Sequence, residues 1–324
     1  MMKATHLIVL VVAACAAAPA AGDDTYWNAT TGNWSNDDNW SNGEPNINDH
    51  AYVNNHGTVT ITDEGERCQW LTLGNNASEG GNVVMSSGHL LHGLSLLVGG
   101  YGSGTFTQNG GRVTEGYPSS VGVGIGSGSS GTYNLNSGVL TTSYLDPGFR
   151  GLGTFTQTGG TCTVTQSVRI GGDSPEGHGT YAISGGTLSA TNMNVYANGS
   201  ATFTVTGDDP IIHLGSYLQN SNGTLESRID AGGLSTIAVT ETAWLEGTWN
   251  VEDLGAPLGT FDVLTATDGI FAYLDVHLPG ADWSWGIANG DTLWVEHVPE
   301  PTTLSLLLLG GLSLLRRPRR LAPK

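Results

Sequence analysis

The chain has 324 residues, of which 49 are glycine and only 12% are charged, and its formal net charge is −18. Five basic and all 29 acidic residues lie between positions 23 and 300, which gives this middle part a net charge of −24. Such a surface repels nucleic acid and anionic lipid, so the composition argues against DNA or RNA binding and is compatible with divalent cations.

The first predicted element is a secretory signal peptide over residues 1–22. One lysine precedes an apolar run from Leu7 to Ala18, and Ala18-Pro19-Ala20 is a small-x-small cleavage site. Two alternatives stay open: an N-terminal membrane anchor, and a lipoprotein in which the phrase VAAC makes Cys15 the lipidated first residue. All three lead to export from the cytoplasm or attachment at its membrane.

A tryptophan-rich segment over residues 23–62 is predicted to form an N-terminal β cap, with Trp27, Trp34 and Trp40 among its apolar residues. Residues 63–212 then repeat a phrase of the form GTFTQNGG. The aromatic position recurs at spacings of 27, 22, 26 and 22 residues, and each aromatic except the last is followed five residues later by glycine, Asp208 standing in that place after the fifth. The aromatic residues are Phe106, Tyr133, Phe155, Tyr181 and Phe203.

Each period contains short β-type runs separated by Gly, Asn and Ser, without helical periodicity. One such unit cannot bury its own apolar side, whereas stacked units at strand spacing build a continuous core. The repeat therefore predicts an all-β fold, a single-stranded parallel β-helix (β-solenoid) in which the five aromatic rings stack in file and the glycines form tight corners. The longer periods carry extra turn residues, 117–119 and 173–176, which we expect at one edge of every second coil.

Residues 213–297 lose the repeat but keep alternating apolar and polar residues, which predicts further β coils or a β cap that closes the solenoid. Cys68 and Cys162 remain after signal removal. They permit a disulfide, but Cys162 occupies a strand position that valine fills elsewhere, so a buried apolar role is favoured. No Cys or His spacing predicts a metal or a cofactor.

The tryptophan-rich opening, the GTFTQxGG coils and the closing strands resemble exported bacterial β-helical repeat proteins related to autotransporter passenger regions. The tail, residues 298–324, resembles a PEP-CTERM sorting signal, because a Pro-Glu-Pro motif precedes a short apolar run and an arginine cluster. The resemblance implies a short transmembrane helix and processing by an exosortase, which delivers the protein to the surface or matrix of a Gram-negative-type bacterium. The residues that carry this signal are Pro299, Glu300, Pro301, Arg316, Arg317, Arg319 and Arg320.

Two hypotheses of different class follow. The first is a non-enzymatic surface or matrix protein associated with exopolysaccharide, whose precursor is held transiently in the inner membrane by the tail. The second is a polysaccharide lyase or glycoside hydrolase, since parallel β-helices also host such enzymes; it needs carboxylates on one face of adjacent coils. The candidates are Asp146, Asp173, Glu176, His178, Asp208 and Asp209, none of which recurs at the repeat period.

A third hypothesis is binding to ice or to a crystalline polymer through a flat threonine ladder. Threonines precede every aromatic of the repeat, whereas the position after the aromatic reads Thr, Asn, Thr, Ala and Thr, so one column is complete and the other is broken. High β-propensity alone accounts for many of these threonines. Trp283 and Trp285 are candidates for stacking on sugars or for packing in the C-terminal cap.

Overall fold

The structure is a computed structural model that describes residues 22–299 except 117, 173 and 197. These residues form 23 strands, one short 3-10 helix (Asp37–Asn39) and no α-helix, and none of their helical segments is long and apolar enough to cross a membrane. The strands are β1 Asp24–Tyr26, β2 Thr31–Asn33, β3 His50–Val53, β4 Asn55–Ile61, β5 Glu64–Leu73, β6 Gly80–Met85, β7 His89–Val98, β8 Ser103–Glu115, β9 Ser120–Val123, β10 Ser130–Pro147, β11 Leu152–Gln157, β12 Thr161–Ile170, β13 His178–Ile183, β14 Thr187–Val195, β15 Ser200–Thr206, β16 Ile211–Gln219, β17 Gly223–Ile229, β18 Ile237–Val239, β19 Ala243–Asp253, β20 Gly259–Ala266, β21 Ile270–His277, β22 Trp283–Ala288 and β23 Thr292–His297.

The strands wind into a parallel β-solenoid of about ten turns, as the repeat predicts. One turn is formed by residues 103–108, 112–115 and 120–123, which pair with three separate stretches of the preceding turn. We name the three resulting sheets face A, face B and face C in this order. Several strands, such as β10, run through more than one face and bend at the corners.

The stack of aromatic rings is confirmed on the inside of face A. Phe106 lies in register with Tyr133, Tyr133 with Phe155, Phe155 with Tyr181, and Tyr181 with Phe203. Successive ring centroids are 4.8, 5.0, 4.7 and 5.8 Å apart, and all five side chains are fully buried. Val83 precedes them in the same column, and Leu225 and Trp249 follow, so the core runs on beyond the clear repeats.

Buried glutamines complete this column and explain why the repeat alternates between GTFTQ and GTY phrases. The Tyr133 hydroxyl donates to Gln108 Oε1 of the preceding turn at 2.7 Å, and the Tyr181 hydroxyl donates to Gln157 at 2.6 Å. Gln108 Nε2 in turn donates to the carbonyl oxygen of Val139. A buried phenol needs a hydrogen-bond partner, and the Phe turn supplies it to the Tyr turn. The structural unit is therefore a pair of turns.

Glycines with positive φ form two corners of the solenoid. Gly111 (φ 68°) and Gly138 (φ 88°) lie where face A meets face B, and Gly99 and Gly124 lie where face C meets face A. After Phe203 the corner between faces A and B is formed by Gly207 (φ 69°), one residue before the Asp208 that the spacing indicates. The left-handed conformation favours glycine because it lacks a Cβ atom.

The two insertions do not share one edge, so the expectation that they would is wrong. Ser119 lies at the corner between faces B and C, because Glu115 pairs within face B and Ser120 within face C. Ser174 and Glu176 lie at the corner between faces C and A, since they separate β12 from β13. The extra residues therefore lie at different corners, and at both corners they leave the strand pairing between turns uninterrupted.

The two ends of the solenoid are closed differently. At the N-terminal end, Trp27, Trp34 and Trp40 are buried and pack edge to face, with centroids about 5 Å apart. Parallel pairing already begins in this segment, where β1 pairs with β3 and β2 with β4. At the other end parallel pairing extends to β21, and β20, β23 and β22 form an antiparallel sheet that covers part of the open core.

Both cysteines are free and completely buried, which confirms their interpretation as buried apolar residues. Cys162 lies in register with Leu140 and Leu188 in the interior column of face B. Burial raises the pKa of the Cys162 thiol to about 12, so the thiolate that would react or bind a metal is disfavoured.

Candidate functional site

The carboxylates predicted as enzymatic candidates are not gathered in one place. Asp146 on face C is buried and forms a bidentate ion pair with Arg169, with distances of 2.5 and 2.6 Å. Burial raises the pKa of Asp146, and the hydrogen bonds from Arg169 act in the opposite direction. Its carboxylate is therefore occupied by an internal partner.

The other candidates lie at corners. Glu176 contacts the Ser127 hydroxyl, and His178 Nδ1 lies 2.8 Å from Ser200 Oγ, in both cases linking one turn to another. Asp208 and Asp209 are exposed at the turn that follows β15. Asp173 lies outside the described residues, and among the described ones no group of three His, Cys, Asp or Glu side chains is arranged to hold a metal ion.

The threonine column in front of the aromatics is longer than the sequence repeat indicates. On the outside of face A seven consecutive turns place threonine at the same register position. The second column is interrupted by Asn134 and Ala182, as the broken pattern predicts, and by Glu226. The members of the first column are Thr105, Thr132, Thr154, Thr180, Thr202, Thr224 and Thr248.

A buried polar cluster at the corner between faces B and C was missed by sequence reasoning. Glu115 accepts hydrogen bonds from the Ser119 hydroxyl (3.0 Å) and from the Ser143 hydroxyl (2.6 Å) and amide (2.7 Å). Ser119 Oγ lies 3.3 Å from His92 Nδ1, and His92 is fully buried with its Nε2 unpartnered. Burial lowers the pKa of His92 to about 4, so the imidazole is neutral at neutral pH. The alternation of inward and outward positions along the strands could have revealed this cluster, because it places the side chains of His92 and Glu115 inside the solenoid.

A second buried acid lies near the N-terminal cap. Glu66 is almost completely buried, and one of its carboxylate oxygens has no partner. Burial, a hydrogen bond with Glu44 and the negative charges of Glu44 and Asp63 raise the pKa of Glu66 to about 8. The Glu66 carboxyl therefore holds a proton at neutral pH, which is the usual response of a carboxylate placed beside another in a partly dry site.

Face C carries a stacked aromatic pair near each of its ends. Tyr26 stacks on Tyr52 with a centroid distance of 5.0 Å at one end, and Trp244 stacks on Phe271 at 5.2 Å near the other. By contrast, Trp283 is buried against His297 and Trp285 packs edge to face on Trp249. Of the two interpretations for Trp283 and Trp285, packing within the C-terminal cap fits these contacts.

The predicted sorting signal falls almost wholly outside the described residues. Of the seven residues that carry the signal, only Pro299 is described, as an exposed residue shortly after the antiparallel sheet. Comparisons of the chain with protein families, with curated proteins and with solved structures find no match. Functional assignment therefore depends on the surfaces themselves: face A with its threonine column, face C with its aromatic pairs, and a core that is filled by packed side chains.

Proposed function

We propose that this chain is an exported, non-enzymatic surface or matrix protein whose rigid solenoid is delivered through the PEP-CTERM-like tail and associates with exopolysaccharide. The observation that carries the proposal is the continuous internal stack. Successive turns bury their aromatic, aliphatic and glutamine side chains in one core, so the molecule offers long outer faces for binding.

The proposal of a non-enzymatic role is supported by how the candidate carboxylates are engaged. Asp146 is neutralised by Arg169, and Glu176 is tied to Ser127, so both have structural partners. A glycoside hydrolase would need two such groups facing one substrate. Incubation of the purified protein with neutral and acidic polysaccharides is expected to release no shorter products, and release of oligosaccharides would favour the enzymatic alternative.

The sorting part of the proposal is tested in a bacterium that possesses an exosortase. The Pro299→Ala/Pro301→Ala variant is expected to accumulate as a larger membrane-bound precursor, because the exosortase recognises the Pro-Glu-Pro motif. Pro257→Ala, which changes a proline in a solenoid loop, serves as the matched control and should be processed as the parent chain is. Immunoblots of membrane, surface and medium fractions give the result; normal processing of the double variant would refute exosortase sorting.

A second candidate function is adsorption to an ordered solid such as ice, and the seven-turn threonine column favours it. The column is uncharged and its members are spaced at the strand separation of about 4.8 Å. If face A binds ice, the purified protein should show thermal hysteresis, and Thr154→Lys should abolish it while Thr163→Lys on face B should not. An absence of hysteresis in the parent chain would dismiss this function.

A further inference from the structure

One column of face C extends along nearly the whole solenoid; it is exposed toward both ends and buried at Thr72, Gly122 and Asp146 in between. We call it the face C ladder. Its residues are in register from turn to turn, and its only charged members are Asp146 and Arg169, which neutralise each other. In order along the axis, the ladder consists of Tyr26, Tyr52, Thr72, Leu97, Gly122, Asp146, Arg169, Asn194, Leu218, Trp244 and Phe271.

The C-terminal part of the ladder presents apolar side chains to solvent. Leu218, Trp244 and Phe271 are 42%, 40% and 49% exposed, on three successive turns. The Trp244 indole donates a hydrogen bond to Glu246 at 3.1 Å, which holds the ring in place beside Phe271. Contiguous exposed apolar groups on a protein surface usually mark a binding site, since they gain from being covered.

A cleft adjoins this aromatic platform. It is lined by the ladder residues Arg169, Asn194 and Leu218 together with Phe149 and Tyr196 from the corner between faces C and A. The Arg169 guanidinium is held by Asp146 and lies 4.6 Å from the Tyr144 ring centroid. The cleft thus combines apolar walls with a guanidinium held by Asp146 and an amide that donates to the Ser167 hydroxyl.

The negative charge of the protein limits which class of partner can bind this surface. The chain between residues 23 and 300 carries a net charge of −24, and Glu241 and Asp268 are exposed beside the platform. Like charges therefore oppose a second copy of the chain and oppose an anionic polymer. A neutral partner avoids this repulsion.

The spacing and the side chains of the ladder indicate which kind of neutral partner it binds. The ladder advances by about 4.8 Å per turn, a step comparable to the length of one sugar unit in an extended chain. Exposed apolar and aromatic side chains suit the C–H face of a sugar ring, and the Arg169 guanidinium and the Asn194 amide suit its hydroxyls. We propose that the face C ladder binds a linear neutral polysaccharide that lies along the solenoid axis, with sugar rings packed against Leu218 and the exposed side of the stacked Trp244–Phe271 pair and in the Phe149–Tyr196 cleft.

This inference deepens the proposed function and rests on it for the choice of an extracellular partner. The test is affinity electrophoresis of the full chain in native gels that contain hydroxyethyl cellulose, mixed-linkage β-glucan, galactomannan or, as an anionic probe, polygalacturonate. Retardation is expected with at least one neutral polymer and not with polygalacturonate. Trp244→Ala/Phe271→Ala should weaken the association about tenfold or more, whereas Leu152→Ala/Leu258→Ala, which removes equally exposed apolar groups elsewhere, should leave it unchanged.

Tyr196→Ala provides an independent variant at the cleft, and circular dichroism checks that each variant keeps its β structure. Absence of retardation in all neutral gels, or equal retardation of the two double variants, would overturn the proposal. A loss of self-association in sedimentation experiments on Trp244→Ala/Phe271→Ala would reassign the ladder to contacts between copies. Sorting is measured separately by cell fractionation, so a chain that reaches the surface without binding glycan refutes only the ladder, and a missorted chain that binds refutes only the sorting.

Discussion

Individual buried hydrogen bonds determine which residues alternate along the repeat. Tyr133 and Tyr181 are each paired with a glutamine from the neighbouring turn, and each glutamine also bonds to backbone carbonyl groups. Leu135 and Ile183 occupy the glutamine position in the tyrosine turns, where no phenol needs a partner on the following turn. The choice between Gln and an aliphatic residue therefore depends on the ring in the next turn.

The Tyr133–Gln108 pair should show strong coupling. Gln108→Leu leaves a buried phenol and two carbonyl groups without a partner and is expected to cost about 2–3 kcal/mol, whereas Tyr133→Phe should cost about 1 kcal/mol. The double variant should be less destabilised than the sum of the two, because the phenol is then absent. Chemical denaturation of the four proteins measures the coupling, and strict additivity would contradict the proposed pairing.

Because His92 is buried, the free energy of unfolding should depend on pH below neutrality. Its pKa in the folded state is about 4, below the usual value of 6.5, so the unfolded chain binds the proton first as the pH falls. Stability from this group is complete above pH 6.5 and is lost as the pH falls toward 4, by about 3 kcal/mol in all. The groups facing it are Ser119, Glu115 and, in the preceding turn, Cys68.

His92→Val is expected to flatten the decline of the unfolding free energy between pH 6.5 and 4. His213→Val, at an exposed position on face B, is the matched control and should retain the decline of the parent protein. Parallel pH profiles for the parent and His92→Val would show that another group controls stability in this range.

At the scale of single elements, the corners are more constrained than the strands. Gly138 has a φ of 88°, and a Cβ atom added there would lie 2.4 Å from the carbonyl oxygen of Gly111 in the neighbouring turn. Gly128 has a similar φ of 72°, but nothing lies within 4 Å of its added Cβ. The two glycines therefore separate conformational strain from steric overlap.

Gly128→Ala is expected to cost about 1 kcal/mol, the price of a left-handed conformation for alanine. Gly138→Ala should cost clearly more, about 3 kcal/mol or above, because the turn-to-turn ladder must also shift. Thermal unfolding of both variants gives the comparison. Equal losses would mean that the coils can separate at this corner without a measurable penalty.

The sequence predicts some of these elements well and others poorly, for a physical reason. The aromatic stack and the glycine corners repeat the same letters at nearly constant spacing, because each performs the same packing role in every turn. The face C ladder joins residues as different as Tyr52, Gly122 and Trp244, and bulges such as the one between Cys68 and Trp70 shift its register. Outward positions are free to vary, so their alignment emerges only when the turns are stacked.

At the scale of the whole molecule, the pair of turns is the unit that can be removed. Residues 104–152 span one Phe turn and one Tyr turn. Deleting them would join Ser103 to Gly153, which has the same register as Gly104. This deletion removes the Gln108–Tyr133 pair together and leaves the Gln157–Tyr181 pair intact. We expect it to fold with a midpoint temperature close to that of the parent chain.

Deletion of residues 131–152 alone is the comparison. It removes the Tyr turn, sets Phe155 directly over Phe106, and leaves Gln108 Oε1 without its phenol and Glu115 without Ser143. This variant should melt at a distinctly lower temperature than the two-turn deletion although it is the smaller change. The reverse order would mean that the number of turns, and not their pairing, governs stability.

The two termini of the described chain lie at opposite ends of the solenoid. β1 lies in the first turn on face C and β21 in the last, ten strand spacings away, a distance of about 48 Å. In most domains the termini lie near each other. Here a group attached before Asp23 and a group attached after Pro299 lie at opposite ends of the solenoid. If one end is attached to a surface, the solenoid therefore holds the other end about 48 Å away from it.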